Sequence, residues 1–262
     1  MTSTIPHQIT KQKPAPETHH LAGDCVEGMA KLKDESVDLI LMDPPYSSHT
    51  HSNGKRGHRD GPKNRVLGFE HLSNELLIAA ADQVSRICRR WVLAFCDIES
   101  IHAWKTALET AGLEYVRACF WSKSGAAPQF TGDRPGSHVE AIVCAHRKKP
   151  NGRPMRKRWN GRGRNNVFTH PVVRKNSKNE PRIHTAQKPV SLVTELVTLF
   201  SDPGDLVVDP FAGVATTGVA CQNTGRVFMG WEMDKKHHAA GVERCKRNAE
   251  RLIAEKQSKE NE

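Results

Sequence analysis

The segment Asp43-Pro44-Pro45-Tyr46 puts a carboxylate, a backbone carbonyl and an aromatic face within one short turn. A residue before proline avoids the helical region, and neither Pro44 nor Pro45 has an N–H to offer, so their carbonyls are left as acceptors. That set suits a planar ring bearing an exocyclic amine. The amine donates to the Asp43 carboxylate and the Pro44 carbonyl, and the ring stacks on Tyr46, a contact worth roughly 1–3 kcal/mol for a base on an aromatic side chain. With both protons held on acceptors the nitrogen lone pair is free to attack an electrophile placed in line, which is catalysis by positioning. Taken alone, the same four residues would also serve as a rigid proline turn.

A second candidate is Asp209-Pro210-Phe211-Ala212-Gly213-Val214-Ala215-Thr216-Thr217-Gly218. Its small residues let the backbone approach a ligand, and a helix beginning there offers free N–H groups. About 20 residues further on, Trp231-Glu232-Met233-Asp234 presents an acid that can accept from a ribose diol, as in nucleoside-binding α/β sheets. The combination points to an adenosyl cofactor. A GxxxxGK[ST] loop is lacking, which disfavours nucleoside triphosphate hydrolysis.

The elements that must position these motifs follow from periodicity. Strands are predicted at 19–24, 37–43, 91–97, 115–122, 139–146, 206–209 and 227–232. Helices are predicted at 26–32, from a Ser73 cap to Arg90, at 98–110, from Pro189 to Phe200, at 216–223 and at 235–256. Strands separated by helices imply βαβ units and a parallel sheet covered on both faces, with ligands bound beyond the carboxyl ends of the strands. Two of the strands end alike, in Asp43-Pro44 and Asp209-Pro210.

The chain has 262 residues and a formal charge of +10, from 39 Lys and Arg against 29 Asp and Glu. The excess is local. Residues 147–182 hold 13 Lys and Arg and one acid, Glu180, so the remainder is slightly acidic. Such a block is either a self-repelling, solvated linker or a polyanion contact that releases counterions on binding. Within it Arg153, Arg156, Lys157, Arg158, Arg162 and Arg164 are candidate nucleic-acid contacts, joined by Lys55 and Arg56 from a second basic loop at 47–68. Trp159 and Phe168 could stack on bases or form a mini-core. The seven cysteines form no CxxC pair, so a zinc ribbon and a disulfide framework are disfavoured. Cys96, Cys119 and Cys144 read as core packing, His237 and His238 as surface, and His49, His51 and His58 lack carboxylate or cysteine partners at metal-ligand spacing, so no metal is expected. Neither a membrane span nor a signal peptide is evident, and a reducing, cytoplasmic setting fits.

Together these motifs resemble the S-adenosylmethionine-dependent DNA amino-methyltransferases, specifically the β class, in which the DPPY motif precedes the FxGxG motif. Gly23-Asp24-Cys25 with Val37-Asp38-Leu39-Ile40 is similar to the family's opening, His184-Thr185-Ala186-Gln187-Lys188-Pro189 to its HPTQKP motif, and Trp121 through Lys123, Phe130, Gly132 and Glu140 to its strand pair. The resemblance covers about residues 20–250. It implies an α/β, Rossmann-like doubly wound sheet, circularly permuted, divided into a tail (1–18), a catalytic half (19–146), a basic target-recognition insert (147–183) and a cofactor-binding half (184–258). It implies that Asp43, Pro44, Pro45 and Tyr46 hold the flipped base. S-adenosylmethionine would be bound by Asp24, Lys188, Asp209, Phe211, Gly213, Ala215, Thr216 and Glu232. Lys188 would close over its methionine part, and Ala215, at the family's second glycine, would crowd the cofactor slightly. The implied reaction is site-specific methylation of adenine N6 in duplex or single-stranded DNA, in a restriction-modification context of a bacterium or phage, with a homodimer as a possible assembly. Asp at the head of the motif favours adenine, since cytosine-N4 members more often carry Ser there. Cytosine-N4 or RNA adenine methylation is the alternative, and an inactive nucleic-acid-binding protein the more distant one.

Overall fold

Val37–Met42 (β2) is the spine of the computed structural model, buried at every position. The structure describes residues 17–45, 73–130, 132–149, 151–153, 155–175, 177, 180–184 and 186–260. Tyr46, Lys55, Arg56 and the three clustered histidines of the 47–68 loop therefore lie outside the described residues. Along β2 the side chains alternate between two cores: Val37, Ile40 and Met42 enter one, Leu39 and Leu41 the other. A strand apolar on both faces is what a sheet covered by helices on both sides requires. The one acid within it, Asp38, accepts from Arg89 Nε at 2.8 Å and from the Leu206 amide at 3.1 Å, so it ties β2 to its neighbours.

The other strands are Thr18–Ala22 (β1), Cys88–Cys96 (β3), Glu114–Ser124 (β4), Val139–His146 (β5), Val167–Pro171 (β6), Leu206–Asp209 (β7) and Val227–Glu232 (β8). The helices are Cys25–Ala30 (α1), Asn74–Ile87 (α2), Ile101–Thr110 (α3), Val190–Phe200 (α4), Thr216–Thr224 (α5) and Lys235–Glu260 (α6). Leu77, Val84 and Ile87 of α2 pack with Trp104 and Leu108 of α3 on one face of the sheet. Leu192, Leu196 and Val197 of α4 pack with Ala220 of α5 on the other. Ser73 caps α2 through the Leu76 amide, as its sequence position suggests.

The eight strands form one sheet in the order β1-β8-β7-β2-β3-β5-β4-β6. From β2 the chain moves to β3 on one side, and from β7 it moves to β8 on the other, so the switch point in strand order lies between β2 and β7. The expected all-parallel sheet is corrected in one place: β5 runs antiparallel to both β3 and β4. The segment read as a basic insert contributes a strand of its own to that sheet. β6 pairs with β4 in parallel and is the eighth strand of the same sheet. Thr18, placed in the tail, opens β1. No helix among the described residues is long and apolar enough to cross a membrane.

Candidate active site

β2 and β7 are neighbours and parallel, with Ile40 opposite Val208. Their acidic ends, Asp43 and Asp209, therefore emerge side by side at the carboxyl edge and line one cleft with Leu41, Phe95, Phe211 and Thr217. Pro44 and Pro45 follow Asp43 out of the sheet.

Lys188 reaches into this cleft from the segment preceding α4. Its Nζ lies 2.7 Å from both Asp43 oxygens and 3.2 Å from Glu140 Oε2, over the face of Phe95. Glu140 is held in turn by Lys123 Nζ at 2.6 Å. Burial alone would lower the Lys188 pKa, but the Asp43 and Glu140 carboxylates outweigh it and hold the ammonium above its ordinary value. The lysine expected to close over a cofactor thus lines the cleft with its charge given to the candidate catalytic carboxylate. Glu140 and Lys123 were not among the predicted site residues. Their signal was present in the matched strand pair, but a cross-strand pairing of Trp121 with Glu140 was needed to place them.

In the second motif, Asp209 is almost fully buried. Its carboxylate accepts from the Phe211 amide at 3.0 Å and from Thr217 Oγ1 at 2.6 Å, which closes the turn into α5. Burial, resisted by those two donors and reinforced by Asp43 and Glu232, pushes its pKa up to about 7. Glu232 accepts from the Gly213 amide at 3.0 Å and the Asp234 amide at 2.7 Å, one on each oxygen, so each oxygen keeps acceptor capacity. Gly213 sits at φ 52° with open space where a Cβ would stand. Thr216 Oγ1 accepts from Arg244, which also reaches Glu180 at 2.8 Å.

Ala215 takes φ 57°, a left-handed conformation that costs a non-glycine residue roughly 1–2 kcal/mol. Its methyl packs with Val219 and Cys245 and against Gly241 of α6. The side chain expected to crowd the cofactor is directed at α6. Asp24 caps α1, accepting from the amides of Val26 at 2.8 Å and Glu27 at 3.0 Å through one oxygen. Its other oxygen has no part in that cap.

The basic segment is stitched to the fold. Arg147 ties to Glu35 at 2.5 Å and to the Ser85 carbonyl. Lys157 pairs with Glu114 at 2.7 Å, at the amino end of β4. The Arg158 carbonyl accepts from the Trp91 indole at 2.7 Å, near the amino end of β3. Arg153 follows β5 in a turn at that same end, and Arg156 lies between them. Arg153, Arg156, Lys157 and Arg158, expected to contact DNA, thus lie at the amino edge of the sheet, away from Asp43. Trp91 to Cys96 alone spans about 17 Å at the usual rise per strand residue, and Asp43 lies beyond the far end. Arg162 and Arg164 are exposed on the α4 flank, where Arg164 pairs with Glu195. Arg174, Lys175 and Arg182 are exposed at the carboxyl end, where Arg174 donates to the Gly125 carbonyl.

Neither aromatic of the segment is set to meet a base. Phe168 is buried in the main core and Trp159 packs on Phe200, so the expected stacking and the expected mini-core both give way to the sheet's own core. Glu180, the lone acid, accepts from the Val190 amide at the start of α4, from Gln187 and from Arg244. Cys96, Cys119 and Cys144 are buried, as read. His237 and His238 are half-buried, correcting their surface assignment: His237 packs edge-on against His184 and His238 stacks on His20. Among the described residues no group of three or more His, Cys, Asp or Glu could hold a metal ion.

Comparison with known proteins agrees with this geometry. A family model described as DNA methylase matches residues 37–243. The Type II methyltransferase M2.DpnII of Streptococcus pneumoniae is 27% identical over 228 residues, covering 82% of this chain and 84% of that protein. M2.LlaDCHI of Lactococcus lactis subsp. cremoris is 27% identical over 240 residues, covering 86% and 88%. Among solved structures, the M1.HpyAVI–SAM complex superposes with a TM-score of 0.65 at 20% identity, over 87% of this chain and 98% of that one. The cytosine-N4-specific PvuII DNA methyltransferase does so at 0.65 and 16%, over 93% and 96%. At these identities the structures speak to a shared fold.

Proposed function

The chain belongs to the N6/N4 DNA methylase family, whose members methylate DNA with S-adenosylmethionine, and from that premise we propose that it methylates adenine N6 at a specific DNA site, as a Type II enzyme. The observation that carries this reading is the side-by-side emergence of Asp43 and Asp209 into one cleft.

The residues present suit the cofactor. The Gly213 turn leaves open space beside the Glu232 carboxylate, and the adjoining cleft wall is apolar at Phe211, Ala212 and Val214, a setting that suits an adenosyl group carrying a ribose diol. When bound, S-adenosylmethionine supplies a methyl group on a positively charged sulfur. Glu232, oriented by the Gly213 and Asp234 amides, would accept from the ribose hydroxyls. Asp24 would take the adenine amine on the oxygen its cap leaves over. Phe211 and Gly213 would line the binding site, with Ala215 and Thr216 shaping the turn behind them and Asp209 fastening it.

On the target side, Asp43 and the Pro44 carbonyl would accept the two amine protons, and Tyr46 would stack on the extruded base. A carboxylate neutralised by Lys188 is a weak base. Asp43 therefore orients the neutral amine, and receives a proton only once the nitrogen has become cationic and acidic. Lys188 keeps Glu140 as a second partner, which lets one Asp43 oxygen turn to the substrate.

The acid heading the DPPY segment supports adenine over cytosine. Unmethylated genomic DNA incubated with the protein and S-adenosylmethionine, then digested to nucleosides for mass spectrometry, is expected to yield N6-methyldeoxyadenosine. N4-methyldeoxycytidine, or modification of RNA alone, would overturn the adenine reading. Asp43→Ala is expected to abolish transfer while cofactor affinity by calorimetry stays within about twofold.

A further inference from the structure

The proposed base-holding residues explain how an amine is gripped, but nothing yet described fills the duplex once a nucleotide has left it. Flipping opens a gap in the stack, and proteins that distort DNA commonly fill such openings with apolar side chains. Among the large hydrophobic residues left exposed in the described part of the chain, Phe130 is the extreme, at 85%. It sits on the loop that joins β4, ending at Ser124, to β5, beginning at Val139.

The two roots of that loop are linked to Asp43 through a chain of ion pairs. Lys123 at the end of β4 pairs with Glu140 at the start of β5, Glu140 with Lys188, and Lys188 with Asp43. The loop is closed at its base by the Lys123 amide donating to the His138 carbonyl at 2.8 Å. The His138 ring lies 3.3 Å from the Ala127 carbonyl, and Arg174 reaches the Gly125 carbonyl at 3.4 Å. Phe130 is thus carried on a braced loop at the carboxyl edge. It is absent from the lining of the cleft and stands exposed to solvent outside it, at the edge from which Asp43 emerges.

We propose that Phe130 is a DNA-contacting residue that stacks on a base bordering the gap and so holds the target extruded. The proposal rests on the DNA-methylating function argued above. It predicts a defect specific to stacked DNA. With tritiated S-adenosylmethionine and genomic DNA, native or heat-denatured, Phe130→Ala should lower kcat/KM on duplex about tenfold, in keeping with the loss of one base–aromatic stack. The loss should be much smaller on single strands, where no stack has to be held open. Phe130→Tyr, which keeps the ring, should restore activity, whereas Phe130→Leu should not. Cofactor affinity by calorimetry should be unchanged in all three. Equal losses on duplex and single strands, or no loss on either, would overturn the proposal, as would an unaltered enzyme that modifies single strands only. Absence of transfer by the unaltered chain to either DNA would instead defeat the proposed function itself, and this inference with it.

Discussion

Lys188 Nζ stands 2.7 Å from each carboxylate oxygen of Asp43, so the candidate catalytic acid is clamped from below by a buried ammonium. Removing one partner of such a pair strands the other. Lys188→Met should cost about 3 kcal/mol, the low end for breaking a buried pair because Asp43 is itself partly exposed. A cycle with Asp43→Asn, read by urea unfolding, should show coupling above about 1 kcal/mol, because the double variant leaves no unpaired charge at position 43. Strict additivity would mean the clamp is energetically idle. The raised lysine pKa gives a sign as well: its contribution is present below the unfolded value near 10.5 and is lost as pH rises through the higher folded value.

Asp209 follows the same direction at lower pH. Its carboxyl is pushed up from 3.8 to about 7, chiefly by burial, so between those values the folded state holds a proton that the unfolded state has released. Stability from this group is greatest below pH 4, falls as pH rises toward 7, and is level above. His20 and His184, both lowered to about 4 chiefly by burial, act against it, costing stability as pH falls from 6.5 toward 4. Asp209→Asn keeps an acceptor for Phe211 and a partner for Thr217. It should leave the histidines unopposed, and stability by urea unfolding should rise more steeply from pH 4 to 6.5 than in the parent. An unchanged slope would place the Asp209 proton elsewhere.

Gly230 lies where β8 passes beneath the cofactor turn. A Cβ there would stand 2.8 Å from the Asp209 carbonyl, 2.8 Å from Ala212 Cβ and 2.7 Å from Phe228 Cζ. The Asp209 carbonyl is backbone in a sheet and yields little. Gly230→Ala should therefore cost about 1–3 kcal/mol through overpacking, and it should also weaken S-adenosylmethionine binding several-fold because Gly213 and Phe211 belong to the displaced turn. Calorimetry separates the two effects. Full cofactor affinity in a destabilised variant would show that the turn moves independently of β8.

How far these relationships were legible in the residues depended on their range. The two acid-tipped strands could be read because a short apolar run followed by Asp-Pro is a local signal, and their adjacency follows from the family order. β6 was not legible. Only Phe168 points into the core from it, and a strand with a single inward side chain in a highly basic segment reads as a loop. Glu140 and Lys123 became site residues only through the β4–β5 register, which is non-local. Glu180 looked like one stray acid among cations. Its work is to hold the start of α4 and Arg244 at positions far along the chain.

The same limit decides where DNA phosphates should be sought. By charge alone, Arg156, Lys157 and Arg158 form the densest cluster, yet Lys157 is spent on Glu114 and the Arg158 side chain lies 3.5 Å from Asp202, both at the amino edge of the sheet. Arg174, Lys175 and Arg182 stand at the carboxyl edge beside the β4–β5 loop. Each lysine or arginine that neutralises a phosphate adds about 0.9 to the slope of log affinity against log salt. Changing Arg174, Lys175 and Arg182 together to Gln should flatten that slope by between one and three phosphate equivalents and weaken duplex binding at low salt, measured by fluorescence anisotropy. The Arg156, Lys157 and Arg158 triple to Gln should leave the slope unchanged and lower stability by well under about 1 kcal/mol per lost surface pair. The reverse pattern, a flattened slope from the amino-edge triple alone, would place the DNA on the other end of the sheet, and Asp43 could then not be the residue that meets the target base.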